Sequence, residues 1–270
     1  MPPGDCTGRV RPGVRGTTFR EDDGLGEDFA HAAPPLAIAL RGLDVASGAR
    51  ALMDWASAEG FRGISWDAAS AGARPRELDR SARRDIAASL KRRELTLTGV
   101  DLPIPPAHFM RAERQDRAFE AARAALLFAA EVGGLLDAEA VVVMTLPEGE
   151  GAAEAIETLA ASAARPGAVI GARNWPRVET SGEVSARWVG IALDPAGVLL
   201  AGADPTDALV GVGEDLAHVR VSDIASAGRV APGEGRLSLE AYAGALGMLG
   251  WSSPATLDLE GVGSQVEAAA

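Results

Sequence analysis

From Pro34 onward the chain alternates short apolar runs with segments of helical period, and this alternation constrains the fold more than any other feature. The runs at 36–41, 63–67, 95–102, 140–146, 168–173, 188–194, 217–223 and 255–260 are rich in aliphatic and β-branched residues and are bounded by turn residues. Helical patterns fill most of the gaps. In 46–59, Leu52, Trp55 and Ala56 share a face, and Gly60 stands where a helix-terminating glycine belongs. In 76–92, Leu78, Ala82, Ile86 and Leu90 recur every four residues behind Pro75, a first-turn proline. In 112–132, Phe119, Ala122, Leu126 and Ala130 form a stripe that ends at Gly133 and Gly134. Segment 151–163 is alanine-rich and amphipathic, Asp204-Pro205 opens a short helix, and Ser238 caps one that runs through Leu249. Segment 174–187 is too short and too broken for a normal crossover helix.

Strands that alternate with helices pair in parallel through right-handed crossovers. Eight of them, at roughly 30 residues per unit, predict an α/β fold, a (β/α)8 TIM barrel. Its connection after strand five would be shortened and its last helix short or missing. A doubly wound open sheet fits less well, because no Gly-x-Gly-x-x-Gly follows the first strand. Nothing divides 34–270, which reads as a single barrel domain. Segment 1–33 has few bulky apolar residues and reads as disordered or loosely attached.

Composition removes several chemistries. The chain has one cysteine (Cys6), three histidines (His31, His108, His218) and one lysine (Lys91), so its positive charge is almost entirely arginine. A disulfide within the chain, a Cys-x-x-Cys pair, a thiolate zinc cage and a His-Glu-x-x-His helix are all excluded. No Gly-Lys-Ser/Thr sequence offers a phosphate loop, and no nucleotide cofactor is expected. Lys91 lies in a charged helical segment with nothing to depress its pKa, which argues against a Schiff base. The net charge of −12 repels phosphate backbones, so nucleic acid is not an expected partner. The cluster Arg83, Arg84, Lys91, Arg92 and Arg93, interleaved with Asp85 and Glu94, reads as a solvated helix face. No apolar run is long enough for a membrane span, and the N-terminus lacks the apolar core of a secretory signal. The expected location is cytoplasmic, and the sequence leaves the oligomeric state open.

In a barrel strand one face packs on the helices and the other points inward. With Val219 and Val221 toward the helices, His218, Arg220 and Ser222 point inward. Thr256, Asp258 and Glu260 form the inward set of the last strand, and Asp194 ends the sixth. Strand two offers Ser65 and Asp67, and strand three ends near Asp101. Asp67, Asp101, Asp194 and Glu260 thus fall at C-terminal strand ends, where barrel enzymes keep their sites. The plain alternative is that such carboxylates cap loops and pair with arginine. A barrel-lining Arg220 among carboxylates is costly to desolvate, which weighs against that alternative for Asp194, Arg220 and Glu260.

The stretches VGIALDPAG, GVGEDLAHVRVSD and PGEGRLSLEAYAGALGMLGWSSPATLDLEG, with EGFRGISWD and GVDLPIPPAHF, resemble the xylose isomerase-like barrel family, which includes sugar phosphate isomerases and epimerases. The resemblance covers roughly 35–262. It implies a divalent metal (Mn, Mg, Co or Zn) at the barrel mouth, held by a Glu ending strand five, an Asp ending strand six, a His in strand seven and a Glu ending strand eight. Carried over by position, Asp194 and Glu260 match the second and fourth ligands. Ala172-Arg173-Asn174 holds no carboxylate, and a family histidine three residues after the strand-six Asp is here Gly197. In strand seven His218 remains, but the ligand position is Arg220, which has no lone pair to give a cation. The expectation is that Arg220 takes the place of the metal and is neutralised by Asp194 and Glu260.

Two readings of function follow. In the first, a sugar or sugar phosphate is isomerised or epimerised by proton transfer next to a carbonyl. Glu260, Asp194 and His108 are then proton carriers, Arg220 steadies the enediolate, and Asp67, Asp101, His218 and Asp258 bind substrate. In the second, the barrel is catalytically inactive and metal-free, and binds a sugar-like ligand or a protein partner. The plainer readings of the same groups are a surface-loop His108, a satisfied interior His218 and a Trp66 that faces the helices. Trp175 and Trp188 are expected to pack down the abnormal strand-five connection. Gly233-Glu234-Gly235 reads either as a plain turn into the last helix or as backbone N–H groups presented to a phosphate. A third reading, a phosphodiester-cleaving endonuclease of these barrels, is disfavoured by the acidic charge and the few histidines.

Overall fold

A computed structural model describes residues 33–176 and 183–263. The N-terminal segment expected to be disordered lies, up to residue 32 and with Cys6 and His31, outside these residues, as do 264–270, where a closing helix would begin.

The first seven strands are β1 (Leu36–Ala39), β2 (Gly63–Asp67), β3 (Thr96–Asp101), β4 (Val141–Met144), β5 (Val169–Ala172), β6 (Val189–Leu193) and β7 (Leu216–Val221). After them come a small antiparallel hairpin of β8 (Asp223–Ala225) and β9 (Gly228–Val230), and then β10 (Ala255–Leu257). β1 to β7 and β10 close into a parallel barrel in the order β1-β10-β7-β6-β5-β4-β3-β2. The eight-stranded (β/α)8 TIM barrel expected from the sequence is therefore the fold.

The helices are α1 (Ala49–Ala58), α2 (Arg80–Arg92), α3 (Ala112–Leu135), α4 (Ala152–Ala164), α5 (Glu183–Trp188), α6 (Pro195–Leu200), α7 (Pro205–Val212) and α8 (Leu239–Met248). Several boundaries differ from expectation for local reasons. Pro75 opens a separate 3-10 turn, Pro75–Glu77, and α2 starts only after Asp79, whose side chain accepts from the Ala82 N–H. α3 runs through Gly133 and Gly134 to Leu135. The strand-five connection does contain a helix, the six-residue α5. α6 and the β8–β9 hairpin were not anticipated, because neither is long enough to show a period.

Two faces of each strand serve two cores. Val142, Met144, Ile170 and Trp66 point to the helices, where they join Leu126, Phe128 and Leu159 in one large cluster. Trp66 also donates its indole N–H to the Ala73 carbonyl at 2.9 Å. A second cluster holds Leu193, Val198 and Leu209 with Tyr242 and Trp251. Trp175 packs against the second and Trp188 against the first, so the two tryptophans do hold down the ends of the connection after β5. The alternate residues Val141 and Val143 join Ala192 and Ala217 in a small inner cluster. Buried polar side chains, among them Ser65, Thr98, Asp101, His218, Arg220, Thr256 and Asp258, share the interior with it.

Candidate functional site

The interior is built in levels. At the lower one, the Thr256 hydroxyl meets His218 Nε2 at 3.1 Å and the Thr98 hydroxyl at 3.2 Å. Gly99 makes room for them, since a Cβ there would lie 3.0 Å from both His218 Nε2 and Ser65 Oγ. His218 is buried, and burial first, then the nearby Arg220 charge, pushes its pKa down to about 3. Its Nδ1 has no hydrogen-bond partner among the described residues, so the imidazole sits neutral.

A pH prediction follows from this ring. Its folded pKa lies below the ordinary value of about 6.5, so between the two the unfolded chain binds a proton that the folded chain refuses. Stability is therefore full above that range and falls as pH drops through it, by up to about 1.4 kcal/mol per pH unit. Urea midpoints measured from pH 7 to pH 4.5 should show this slope in the native chain. His218→Asn should flatten it, and an unchanged slope in the variant would contradict the assignment.

One level up stands Arg220, wholly buried. Register places it beside Thr256, so it enters the barrel two residues above His218. Its Nη1 donates to Asp101 at 2.6 Å, and its Nε and Nη2 donate to one Asp258 oxygen at 3.1 and 2.9 Å. Ser65 donates to the other Asp101 oxygen at 2.8 Å, and the Tyr242 hydroxyl donates to the Arg220 carbonyl at 3.2 Å. Burial would raise the Asp101 pKa, but the Arg220 charge and hydrogen bond hold it below the ordinary value. Asp101, Asp258 and Asp194 in turn fix Arg220 as a permanent cation against its own desolvation.

The mouth carries three more arginines. Arg173, just past β5, donates to Asp194 at 2.5 Å and lies 3.6 Å from Asp258. Asn174 steadies it: its amide oxygen accepts from the Leu146 N–H at 2.7 Å and its NH2 donates to the Leu146 carbonyl at 3.1 Å, tying the ends of β4 and β5. Ser222 donates to the other Asp194 oxygen and accepts from the Ala196 N–H at 3.1 Å. Asp194 is buried, yet Arg173 foremost and then Arg220 and Arg229 hold it well below the carboxylate range. Arg229 reaches in from the β8–β9 hairpin to Asp258 at 3.1 Å. Arg41, just past β1, makes a two-pronged pair with Glu260, at 2.8 and 3.1 Å. A cleft of about 270 Å³ opens over this layer, with Arg41, Asp101, Arg173 and Glu260 among its walls.

Of the pair expected from the sequence to neutralise Arg220, Asp194 acts on it only through its charge, without a direct bond, and Glu260 does not. Asp101 and Asp258 make the direct pairs, Asp258 from just past the neighbouring β10 and Asp101 from β3 across the barrel, while Glu260 belongs to Arg41 and Asp194 to Arg173. Asp67 sits half-buried at the end of β2, its carboxylate accepting from the Ala69 N–H at 2.9 Å. Burial foremost, with Asp101 and Glu260 nearby, raises its pKa. His108 is not brought to this layer: it lies in a 3-10 turn, Pro106–Phe109, with Nε2 2.6 Å from Arg114. The backbone N–H groups of Gly233 and Gly235 are not free for a phosphate either, because both donate to Asp223 at 2.9 Å. Arg41 and Arg173 escaped notice as site residues although they stand two residues past β1 and one past β5. Arg229 gave no signal, since its hairpin is too short to read.

The chain belongs to the xylose isomerase-like TIM barrel family, whose profile matches residues 53–270. No curated protein matches it. Among solved structures, it resembles a xylose isomerase domain protein from Planctomyces limnophilus at 18% identity and a TM-score of 0.68, covering 84% of this chain and 91% of that one. It also resembles the 3-keto-D-glucoside 4-epimerase YcjR from E. coli at 17% identity and 0.64, covering 83% and 91%. A third likeness, at 15% and 0.62 and covering 84% and 89%, is the IolI protein with a bound zinc atom.

The IolI structure holds a zinc atom in a barrel of this fold, but the donor set here does not fit a divalent ion. Of the four positions carried over from the family, Arg173 stands near the first and Arg220 at the third. Both carry a fixed positive charge and no lone pair. Among the described residues no group of three or more His, Cys, Asp or Glu side chains is placed to hold a metal. No helix is long and apolar enough to cross a membrane among the described residues.

Proposed function

We propose that this protein binds a sugar-like polyhydroxy carbonyl compound at the barrel mouth and moves a proton on the carbon next to the carbonyl, as an isomerase or epimerase, without a metal. The observation that carries this reading is the mouth cleft, which brings the partly exposed Arg41 and Arg173 and the Glu260 carboxylate together. Alternating guanidinium donors and carboxylate acceptors suit vicinal hydroxyl groups. Arg173 and Arg41 present fixed N–H donors to a developing enediolate oxygen, the part a metal plays in other barrels. Glu260 is the proton carrier: it lies at the rim, and each oxygen paired with Arg41 keeps a second lone pair. Asp67 is a second carrier, because its raised pKa brings it closer to neutrality. Arg220 cannot touch the substrate and acts by fixing Asp101 and Asp258.

A panel of aldoses, ketoses and their phosphates, assayed in a chelator and again with added Mn²⁺, tests the reading. Turnover should survive the chelator, and Glu260→Gln should lower kcat by roughly 100-fold or more. Turnover that depends on Mn²⁺, or that is unchanged by Glu260→Gln, would overturn it. A second reading, a non-catalytic barrel that only binds its ligand, is favoured by one feature: both Asp194 oxygens are already occupied, by Arg173 and Ser222. Saturable sugar binding with no turnover would decide for that reading.

A further inference from the structure

Beside the mouth lies a second and larger cleft, of about 430 Å³, between the loops that follow β2 and β3. Its charged lining residues are Arg74, Arg76 and Arg117, and no acidic side chain among the described residues lines it. This is unexpected in a chain of net charge −12. The arginines of the mouth are all paired with carboxylates, whereas Arg76 and Arg117 have no ion-pair partner among the described residues. Arg74 is held in place: Nε donates to the Ala69 carbonyl at 3.2 Å and Nη1 to Glu77 at 3.1 Å. Glu77 is the nearby acid, and its other oxygen is turned away to the Gly72 N–H at 3.2 Å. The 3-10 turn with Arg76 packs on α3, which carries Arg117, so the two guanidinium groups come from elements fixed to each other. Leu102, Pro103 and Ile104 form a wall shared with the mouth cleft. An apolar wall lowers the local dielectric and strengthens an ion pair made beside it.

We propose that this cleft is an anion subsite that takes the phosphate or carboxylate group of the ligand whose carbonyl end lies in the mouth. The link to the mouth rests on the sugar reading above, and the anion site itself does not. A phosphate or carboxylate accepts the planar two-pronged donation that arginine offers, and the shared wall lets one sugar chain span both clefts. The substrate class narrows accordingly to phosphorylated sugars or sugar acids.

The test is calorimetric titration at constant ionic strength of the full chain and of Arg76→Ala/Arg117→Ala. The probes are inorganic phosphate, fructose, fructose 6-phosphate and glucuronate. Both substituted positions are exposed, and an unchanged urea midpoint checks that the variant folds. Inorganic phosphate should bind at one site in the native chain. Fructose 6-phosphate or glucuronate should bind at least tenfold more tightly than fructose, the first marking a phosphate site and the second a carboxylate site. The double variant should lose that tenfold preference, the size expected for hydrogen bonds to a charged group. The proposal is overturned if no anionic probe gains over fructose, or if the double variant keeps the gain. Fructose binding without an anionic gain would sink the subsite and leave the sugar reading standing. Phosphate binding with no sugar turnover would do the reverse.

Discussion

Arg220→Met should destabilise the protein by about 3–5 kcal/mol, the cost of leaving buried carboxylates without their cation. Asp101 and Asp258 are each no more than 2% exposed and meet Arg220 from across the barrel and from beside it, respectively. Methionine fills much of the same volume but returns neither charge nor hydrogen bonds. Arg220→Lys provides the control: it keeps the charge and loses the fork that reaches Asp101 with one nitrogen and Asp258 with two others. It should fall between the native chain and the methionine variant in urea midpoint. A methionine variant as stable as the native chain would show that the two aspartates are protonated, or that water fills the gap. The depressed Asp101 and Asp194 add a pH signature. Their folded pKa values lie below the ordinary carboxylate value of about 3.9, so their contribution is complete above it and is lost as pH falls through the folded values. Arg220→Met should remove most of the Asp101 part of that acid loss.

The double substitution Arg173→Glu/Arg220→His should create a site for a divalent ion in a donor layer that, as it stands, does not fit one. It restores the ligand types that the family resemblance places at the ends of strands five and seven, next to the native Asp194 and Glu260. It also removes two guanidinium groups from a layer that contains Asp101 and Asp258, so the excess carboxylate charge attracts a cation. Titration with Co²⁺, followed by the visible absorption of the bound ion, reads the outcome without any assay of activity. Saturable binding in the variant and none in the native chain is the expected pair of results. Stoichiometric Co²⁺, Mn²⁺ or Zn²⁺ bound by the native chain would refute the claim that arginine has replaced the metal. Either single variant should bind more weakly, since one guanidinium remains near the ion.

The barrel was legible because eight buried parallel strands must each read as a short apolar run, and because the crossover rule leaves little freedom once the alternation is seen. The inward direction of Arg220 and Asp258 was legible for the same reason: side chains alternate along a strand with a period of two. Which carboxylate meets which arginine was not. Asp101 and Arg220 are 119 residues apart, and Arg41 and Glu260 are 219 apart. Their pairing depends on barrel stagger and on bulges such as the register shifts at Ile64/Ser65 and Ile191/Ala192. Loops hid the rest. Arg229 is carried by a hairpin of three-residue strands, and the cleft of Arg74, Arg76 and Arg117 exists only because two connections lie side by side.

One aspartate in that hairpin has a wider consequence. Asp223 gathers five backbone N–H groups, from Ile224, Gly233, Gly235, Arg236 and Leu237, at 2.7 to 2.9 Å. Gly235 lies so close that a Cβ there would stand 2.5 Å from the carboxylate. Both ends of segment 224–237 are thereby fastened to one buried carboxylate, and the five bonds together resist its opening. The anchor thereby places the hairpin that carries Arg229 beside Asp258. The loops after β1, β2 and β3, which carry no such anchor among the described bonds, border the clefts of the mouth, so the same rim combines a pinned loop with open ones.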